Sequence, residues 1–169
     1  FYRIRKKSED PNKFIRLHRA EFGHDIGNQR NYKNNYYPDA ENLIKQIGKF
    51  YKKKKENILL GLGAESLIKD TIIWHQQKFK SRNSLNTFPN FFMYEIFLKI
   101  FHYKKFYFKI DAINPKKTNT DKIIDIIKNK KIFLLIIVNP AHPFEKYWTN
   151  KEIEKILNYA KQKRVFVII

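Results

Sequence analysis

The hydrophobic and polar positions of the chain follow two spacings, and the change from one to the other predicts helices that alternate with strands. In five segments apolar residues recur three or four positions apart, which is the spacing of one helix face. These segments run from Leu43 to Tyr51, Leu67 to His75, Phe91 to Phe101, Ile123 to Ile127 and Ile153 to Leu157. Five helices are therefore expected.

Four short segments have the pattern of strands. Residues 85–88 precede a proline, residues 106, 108 and 110 alternate with polar or amphipathic neighbours, and residues 132–138 and 165–169 are apolar almost throughout. A strand without a polar face is typical of a parallel sheet with helices on both sides. Strands that alternate with helices therefore predict an α/β fold with a mainly parallel sheet, in three layers. The apolar residues 58–60 are left open as a strand or a turn.

Helix start signals support three of these assignments. Pro38 or Asp39 opens the first helix, Thr120 is expected to cap the fourth, and Thr149 with Glu152 forms a capping box before the fifth. These signals set the expected amino ends of the helices.

The amino-terminal part has no clear period. Residues 14–18 are consistent with an edge strand or an extended arm, and residues 20–37 are consistent with a loop. We predict an arm and loop over residues 1–36 and one domain over 37–169. Because ligand-binding loops follow the carboxyl ends of such strands, a last strand at 165–169 predicts that the domain is incomplete.

Composition excludes several classes of protein. Hydrophobic residues make up 43% of the chain and aromatic residues 16%, which is too much for a disordered tail. The longest apolar run, Ile132 to Val138, is far shorter than the roughly 20 residues of a membrane-spanning helix. The charged start has no secretory pattern, and the absence of cysteine excludes disulfides and thiolate metal sites. A cytoplasmic protein without a bound metal is expected.

The formal net charge is +19, which would attract nucleic acids or anionic surfaces whatever the fold. The lysines are spread along the whole chain among many Asn, Ile, Phe and Tyr residues, a bias that AT-rich coding also produces. Nucleic acid is therefore a less favoured partner, and a basic nucleic-acid-binding module is an alternative.

The loop Gly61-Leu62-Gly63-Ala64-Glu65-Ser66 precedes a predicted helix. Free N–H groups at a helix amino terminus form a natural phosphate site, although such a loop is also an ordinary glycine turn. A dinucleotide fingerprint would need a third glycine at Ser66 and an acid about 20 residues later, and neither is present. No GxxxxGK[ST] pattern occurs either.

Four strings in order carry a resemblance to a known family: YPDAENLIKQIGKFY, ENILLGLGAESLI, FPNFFMYEIF and IIVNPAHPFEKYWTNKEIEKIL. Together they resemble the fold-type-I, class I and II, pyridoxal-phosphate-dependent aminotransferases near histidinol-phosphate aminotransferase. The resemblance covers residues 37–169. Each string alone has modest specificity, but their order and spacing agree with the family.

The resemblance implies roles for residues that would bind pyridoxal phosphate. Gly63, Ala64 and Glu65 stand where the family offers backbone N–H groups and the helix dipole to the cofactor phosphate. Phe91 stands where the family stacks an aromatic ring on the pyridine; tyrosine is usual there, so the hydroxyl is lost.

Four further positions depart from, or extend, this pattern. His142 replaces the asparagine that donates a hydrogen bond to the ring hydroxyl, and an imidazole can also donate. Phe144 and Glu145 replace the family's Thr-Gly. Tyr37 matches the arm tyrosine that reaches the phosphate in the partner subunit, so a homodimer is implied.

The resemblance implies transfer of an amino group between an amino acid and a 2-oxo acid or phosphorylated carbonyl compound, as in amino-acid biosynthesis. In the family, an acid that pairs with the pyridinium nitrogen and the Schiff-base lysine follow the strand that matches residues 165–169. The chain contains neither in that context, so no catalytic residue is assigned and a fragment that is inactive alone is expected. A decarboxylase of the same fold and a structural remnant are the remaining alternatives.

Overall fold

The computed structural model describes residues 40–111, 113, 119–141 and 147–169. The chain divides into two compact units, residues 1–60 and 61–169. The arm and loop expected before residue 37 lie outside the described residues.

The described part of the first unit contains one helix and one short turn. Helix α1 spans Glu41–Tyr51 and ends at Lys52, whose backbone is left-handed. A 3-10 turn follows over Lys55–Asn57. The predicted helix is confirmed, while its expected start signals, Pro38 and Asp39, lie outside the described residues.

The second unit alternates helices and strands in the predicted order. In sequence these elements are α2 (Ala64–Lys78), β1 (Asn83–Phe88), α3 (Phe92–Ile100), β2 (Lys104–Lys109), α4 (Thr120–Lys130), β3 (Leu134–Ile136), α5 (Asn150–Gln162) and β4 (Phe166–Ile168).

All four strands belong to one parallel sheet with the order β2-β1-β3-β4. Leu85 of β1 lies between Phe106 of β2 and Leu135 of β3, and Leu135 in turn neighbours Val167 of β4. Hydrogen bonds at both ends extend the pairing of the short strand β3, because Phe133 N donates to Asn83 O and Ile137 N to Ile168 O. The predicted parallel sheet is confirmed.

Alternate residues of β3 divide the core into two layers. Leu134 and Ile136 belong to the cluster formed with α2 and α3, whereas Leu135 and Ile137 belong to the cluster formed with α4 and α5. The sheet is thus covered on both faces, which explains why its central strand has no polar side. The three-layer prediction is confirmed.

Strand β1 is longer than predicted. It begins at Asn83 rather than Leu85, and Ser84, Asn86 and Thr87 are fully buried in it. The polar side chains concealed the start of the strand in the sequence. Position in the middle of the sheet, rather than strand propensity, decides the conformation of these residues.

The helix caps correct one expectation and confirm another. Helix α4 is capped by Asn119, whose Oδ1 accepts a hydrogen bond from Asp121 N at 2.9 Å, and Thr120 is its first residue instead. The capping box before α5 is present: Glu152 N donates to Thr149 Oγ1 and Thr149 N to the Glu152 carboxylate. Residues 58–60 join neither a helix nor a strand among the described residues.

A buried histidine fastens α2 to the sheet. His75 is inaccessible to solvent, its Nε2 lies 3.0 Å from the carbonyl oxygen of Phe133 and its Nδ1 lies 2.7 Å from Tyr103 Oη. Because the carbonyl only accepts, Nε2 carries the proton and Nδ1 accepts from the Tyr103 hydroxyl. Burial lowers the pKa of His75, although the bond to the Phe133 carbonyl opposes this, and burial raises the pKa of Tyr103 to about 12. Both groups are therefore neutral near pH 7.

We expect His75→Gln to lower the free energy of unfolding by about 1–3 kcal/mol near neutral pH, because a buried hydrogen-bond partner is lost. It should also flatten the pH dependence of stability. Below pH 6.5 the unfolded histidine takes up a proton that the folded one resists, so the wild-type chain loses stability as the pH falls from 6.5 towards the folded pKa. Urea unfolding at a series of pH values measures both effects.

The control is His102→Asn, which removes an exposed histidine at a left-handed position that asparagine tolerates. It should leave the pH dependence as in the wild type. An equal pH dependence in wild type and His75→Gln would contradict the role assigned to this histidine.

The buried side chain of Asn86 is expected to lower the free energy of unfolding. Its side chain is fully buried, neither amide atom has a hydrogen-bond partner among the described residues, and its sheet neighbour Ile136 faces the α2 and α3 layer. We expect Asn86→Leu, which keeps the branching of the side chain and removes both amide atoms, to raise the free energy of unfolding by about 1–2 kcal/mol. The control Asn83→Leu should destabilise, since Asn83 Nδ2 donates to Lys130 O at 2.9 Å. A destabilised Asn86→Leu chain would mean that the amide is satisfied.

Candidate functional site

The turns that follow β1 and β3 meet at the carboxyl edge of the sheet. Val138 N donates to Thr87 Oγ1 at 3.3 Å, and Asn90 Nδ2 donates to Thr87 O at 2.9 Å. Thr87 therefore links the two turns directly. Both turns contain a cis proline, Pro89 after β1 and Pro140 after β3.

Helix α2 points its amino terminus at this same edge. His75, in the carboxyl-terminal half of the helix, is bonded to the carbonyl of Phe133, which directly precedes β3. That half of the helix thus lies at the amino edge of the sheet. Since α2 returns the chain to the start of the parallel strand β1, its first turn lies towards the carboxyl edge.

The first turn of α2 has the geometry of an anion site. Gly63 stands at the N-cap with φ 85° and ψ 170°, a conformation that is essentially restricted to glycine. No side-chain hydrogen bond caps the helix, and a Cβ at Gly63 would meet nothing within 4 Å. Ala64 and Glu65 are exposed in the first turn. Their N–H groups and the helix dipole favour a negative group, although the Glu65 carboxylate competes for the same dipole.

Phe91 caps the other helix that begins at this edge. It precedes α3 in extended conformation, φ −65° and ψ 120°, two residues after Pro89. Its ring is half-buried and packs edge-on against the rings of Phe92 and Tyr94, with centroids 5.2 and 6.4 Å away. The ring is thus supported on one side and partly exposed.

Asn139 and Trp148 form a contact that the sequence did not predict. Trp148 is buried, and its backbone N–H donates to Asn139 Oδ1 at 3.0 Å. Ala141, next to the cis proline, is also buried. Ala141 and Trp148 therefore both belong to the core. Asparagine before proline was the available signal, because it marks a turn that its own side chain stabilises.

The sequence-predicted site residues fall into two groups. Gly63, Ala64, Glu65 and Phe91 lie at helix starts on the carboxyl edge of the sheet. His142 and Tyr37 lie outside the described residues. The individual roles of all six stay predictions.

A carboxylate on α3 has a structural role. Glu95 Oε2 accepts from Lys105 Nζ at 2.9 Å and from Tyr107 Oη at 2.7 Å, which joins α3 to the edge strand β2. The hydrogen bond that Lys105 donates to Glu95 raises the pKa of Lys105, and partial burial raises the pKa of Tyr107. Among the described residues no group of His, Asp or Glu side chains could hold a metal ion, and no helix could cross a membrane.

The sequence profile of aminotransferase class I and II matches residues 6–169. The chain belongs to this family.

Named relatives include histidinol-phosphate aminotransferases of two clostridia. The enzyme from Clostridium kluyveri is 29% identical over 147 residues, which cover 86% of this chain and 41% of the relative. The enzyme from Clostridium novyi is 33% identical over 128 residues, which cover 73% of this chain and 35% of the relative. The chain thus spans well under half of the length of these relatives.

A solved structure supports the same relationship. The histidinol-phosphate aminotransferase from Clostridium acetobutylicum has a TM-score of 0.65 and 25% sequence identity, covering 79% of this chain and 38% of that chain. The order of elements described above is therefore a partial aminotransferase fold.

We expect Gly63→Ala to lower the free energy of unfolding by about 1–3 kcal/mol, since the backbone conformation at this N-cap suits only glycine. The effect should arise from backbone strain alone, because a Cβ there would have open space. Thermal or urea unfolding measures it. Ala64→Gly, which relaxes the same turn, is the control and should cost less. Equal stability of Gly63→Ala and the wild type would show that the turn does not need this conformation.

Proposed function

We propose that the chain forms part of a pyridoxal-phosphate-dependent aminotransferase that moves an amino group between an amino acid and a 2-oxo acid or phosphorylated carbonyl compound. One observation carries the proposal: in a member of this family, the uncapped amino terminus of α2 and the supported ring of Phe91 lie at the same edge of the sheet. The names of the relatives favour histidinol phosphate or a related phosphorylated substrate.

The first turn of α2 fits the phosphate of the cofactor. Gly63 leaves the space in front of the helix open, and no side chain occupies the first N–H groups. The N–H groups of Ala64 and Glu65 would donate to phosphate oxygens with support from the helix dipole. Ala64 offers no hydroxyl, so the backbone provides this contact without side-chain help.

The ring of Phe91 fits the aromatic part of the cofactor. Tyr94 and Phe92 hold it from one side, and its exposed surface remains for stacking. Stacked aromatic pairs are worth about 0.5–1.5 kcal/mol beyond the area they bury. Phe91 would fix the plane of the bound ring, while α2 fixes its phosphate.

When bound, pyridoxal phosphate supplies an electron sink for reactions at the α-carbon of an amino acid. The described residues of this chain would bind the cofactor and hold it in a fixed orientation. Thr87 joins the turns after β1 and β3, so that the residues on both turns keep a fixed separation. Holding the reacting groups in a fixed orientation can supply a large share of the reduction in the activation barrier.

The wider proposal covers assembly and location. An arm over residues 1–36 precedes the cofactor-binding domain, residues 37–169, and Tyr37 of one subunit contributes to the phosphate site of the other in a homodimer. His142 donates to the cofactor ring hydroxyl. The enzyme acts in the cytoplasm in amino-acid biosynthesis.

The test uses the longest polypeptide that the gene encodes through these residues. Addition of pyridoxal phosphate should produce a bound-cofactor absorbance band, and an amino acid with a 2-oxo acid acceptor should then exchange the amino group. Phe91→Leu should weaken cofactor binding about tenfold, because the ring surface worth roughly 1.4 kcal/mol is lost. Titration of the absorbance band gives the dissociation constant.

The control Phe91→Tyr keeps the ring and should bind the cofactor as tightly as the wild type. Equal weakening of cofactor binding in Phe91→Leu and Phe91→Tyr would show that Phe91 does not act by stacking. Absence of any bound cofactor in the longest polypeptide would overturn the proposed function, and release of CO₂ without amino transfer would identify a decarboxylase instead.

A further inference from the structure

A basic cleft at the carboxyl end of α1 has no part in the proposed function. Its volume is 470 Å³, and it is largely open to solvent. Ile44 and Gly48 form its apolar floor. The rest of its lining consists of lysines, all of them exposed: Lys45, Lys49, Lys52, Lys53, Lys54 and Lys55.

A hydrogen-bonded turn fixes the backbone at Lys52 and Lys53. Lys53 N donates to Gly48 O at 2.8 Å, and Lys52 N donates to Lys49 O at 3.4 Å. A Cβ at Gly48 would lie 2.8 Å from Lys53 O, so the glycine permits the close approach of the turn to the helix. The same bonds occupy two carbonyls at the helix end that would otherwise repel an anion.

The positive charge of the cleft exceeds what helix stabilisation explains. Residues 41–57 contain six lysines and two glutamates, Glu41 and Glu56, which gives 6 − 2 = +4. Glu41 lies 3.8 Å from Lys45 and offsets one of them. The helix dipole favours cations only within the last turn, where Lys49 stands. The four consecutive lysines after α1 repel one another, and a bound anion would offset this repulsion.

We infer that this cleft binds a compact oligophosphate anion, such as the triphosphate group of a nucleotide or inorganic tripolyphosphate. Six exposed lysines around one open depression can offer several ammonium groups to the linked phosphates of a single anion. The exposed rings of Phe50 and Tyr51 do not line the cleft, so it lacks the stacking platform that binds single-stranded nucleic acid. None of the residues that line the cleft has a role in the proposed cofactor site.

Titration calorimetry of the chain with inorganic tripolyphosphate, at an ionic strength of about 0.15 M, tests this site. Saturable one-to-one binding is expected, with orthophosphate binding more weakly. The double variant Lys49→Gln with Lys53→Gln should weaken binding about tenfold, because two of the six cations are lost. Absence of saturable binding, or equal binding of orthophosphate, would overturn the inference.

The matched control is Lys122→Gln with Lys128→Gln, which removes the same charge from exposed positions of α4. It should leave tripolyphosphate binding unchanged within about twofold, since those lysines lie outside the cleft. An equal loss of tripolyphosphate affinity in the two double variants would mean that the net charge of the whole chain attracts the anion. That result would overturn the inference.

Two further measurements separate a shaped site from a charged surface. Gly48→Ala keeps every charge but forces the turn away from the helix, and should weaken tripolyphosphate binding at least about threefold. Circular dichroism confirms that α1 persists.

A single-stranded RNA of a dozen nucleotides should bind more weakly than tripolyphosphate in the cleft. Tighter RNA binding that the Lys49 and Lys53 changes abolish would identify a nucleic-acid surface and overturn the oligophosphate site.

Discussion

The parallel pairing of β1 with both β2 and β3 is the constraint on which the second unit depends. Neighbouring parallel strands cannot be joined by a tight turn, so a helix must return the chain across the sheet after each one. The crossings cover both faces of the sheet, which explains why the inner strand β3 is apolar. They also bring every turn that follows a strand to one edge. The turns after β1 and β3 therefore meet at that edge, where Val138 N donates to Thr87 Oγ1, and the first turn of α2 lies towards the same edge.

The order of elements could be predicted from the sequence because burial on two faces leaves a strong signal in residues 132–138 and one-sided burial leaves a periodic signal in the helices. The exact start of β1 could not be predicted from the sequence. Asn83 and Ser84 have low strand propensity, and only the neighbours that the sheet supplies make them extended. The cap of α4 was misassigned between adjacent residues, Asn119 and Thr120, which both favour caps.

The candidate site was predictable only where its residues are close in sequence. The glycine turn at Gly63 and the ring at Phe91 belong to local motifs, and the structure brings both to helix starts at one edge. Contacts between distant residues left no comparable signal. His75 meets Phe133 across 58 positions, and its place in the periodic pattern was that of an ordinary core residue. The pairing of Asn139 with Trp148 likewise depends on the fold around them.

The two edges of the sheet are coupled mechanically through α2. His75 lies 12 residues after Gly63, so its hydrogen bonds act about 18 Å along the helix axis from the first turn. A tilt of about 5° about that anchor would move the first turn by about 1.5 Å. Misplacement of about 1 Å can reduce the rate of a positioned reaction by roughly two orders of magnitude. If the first turn of α2 holds the cofactor phosphate as proposed, the buried His75 at the amino edge would help to fix the position of that turn.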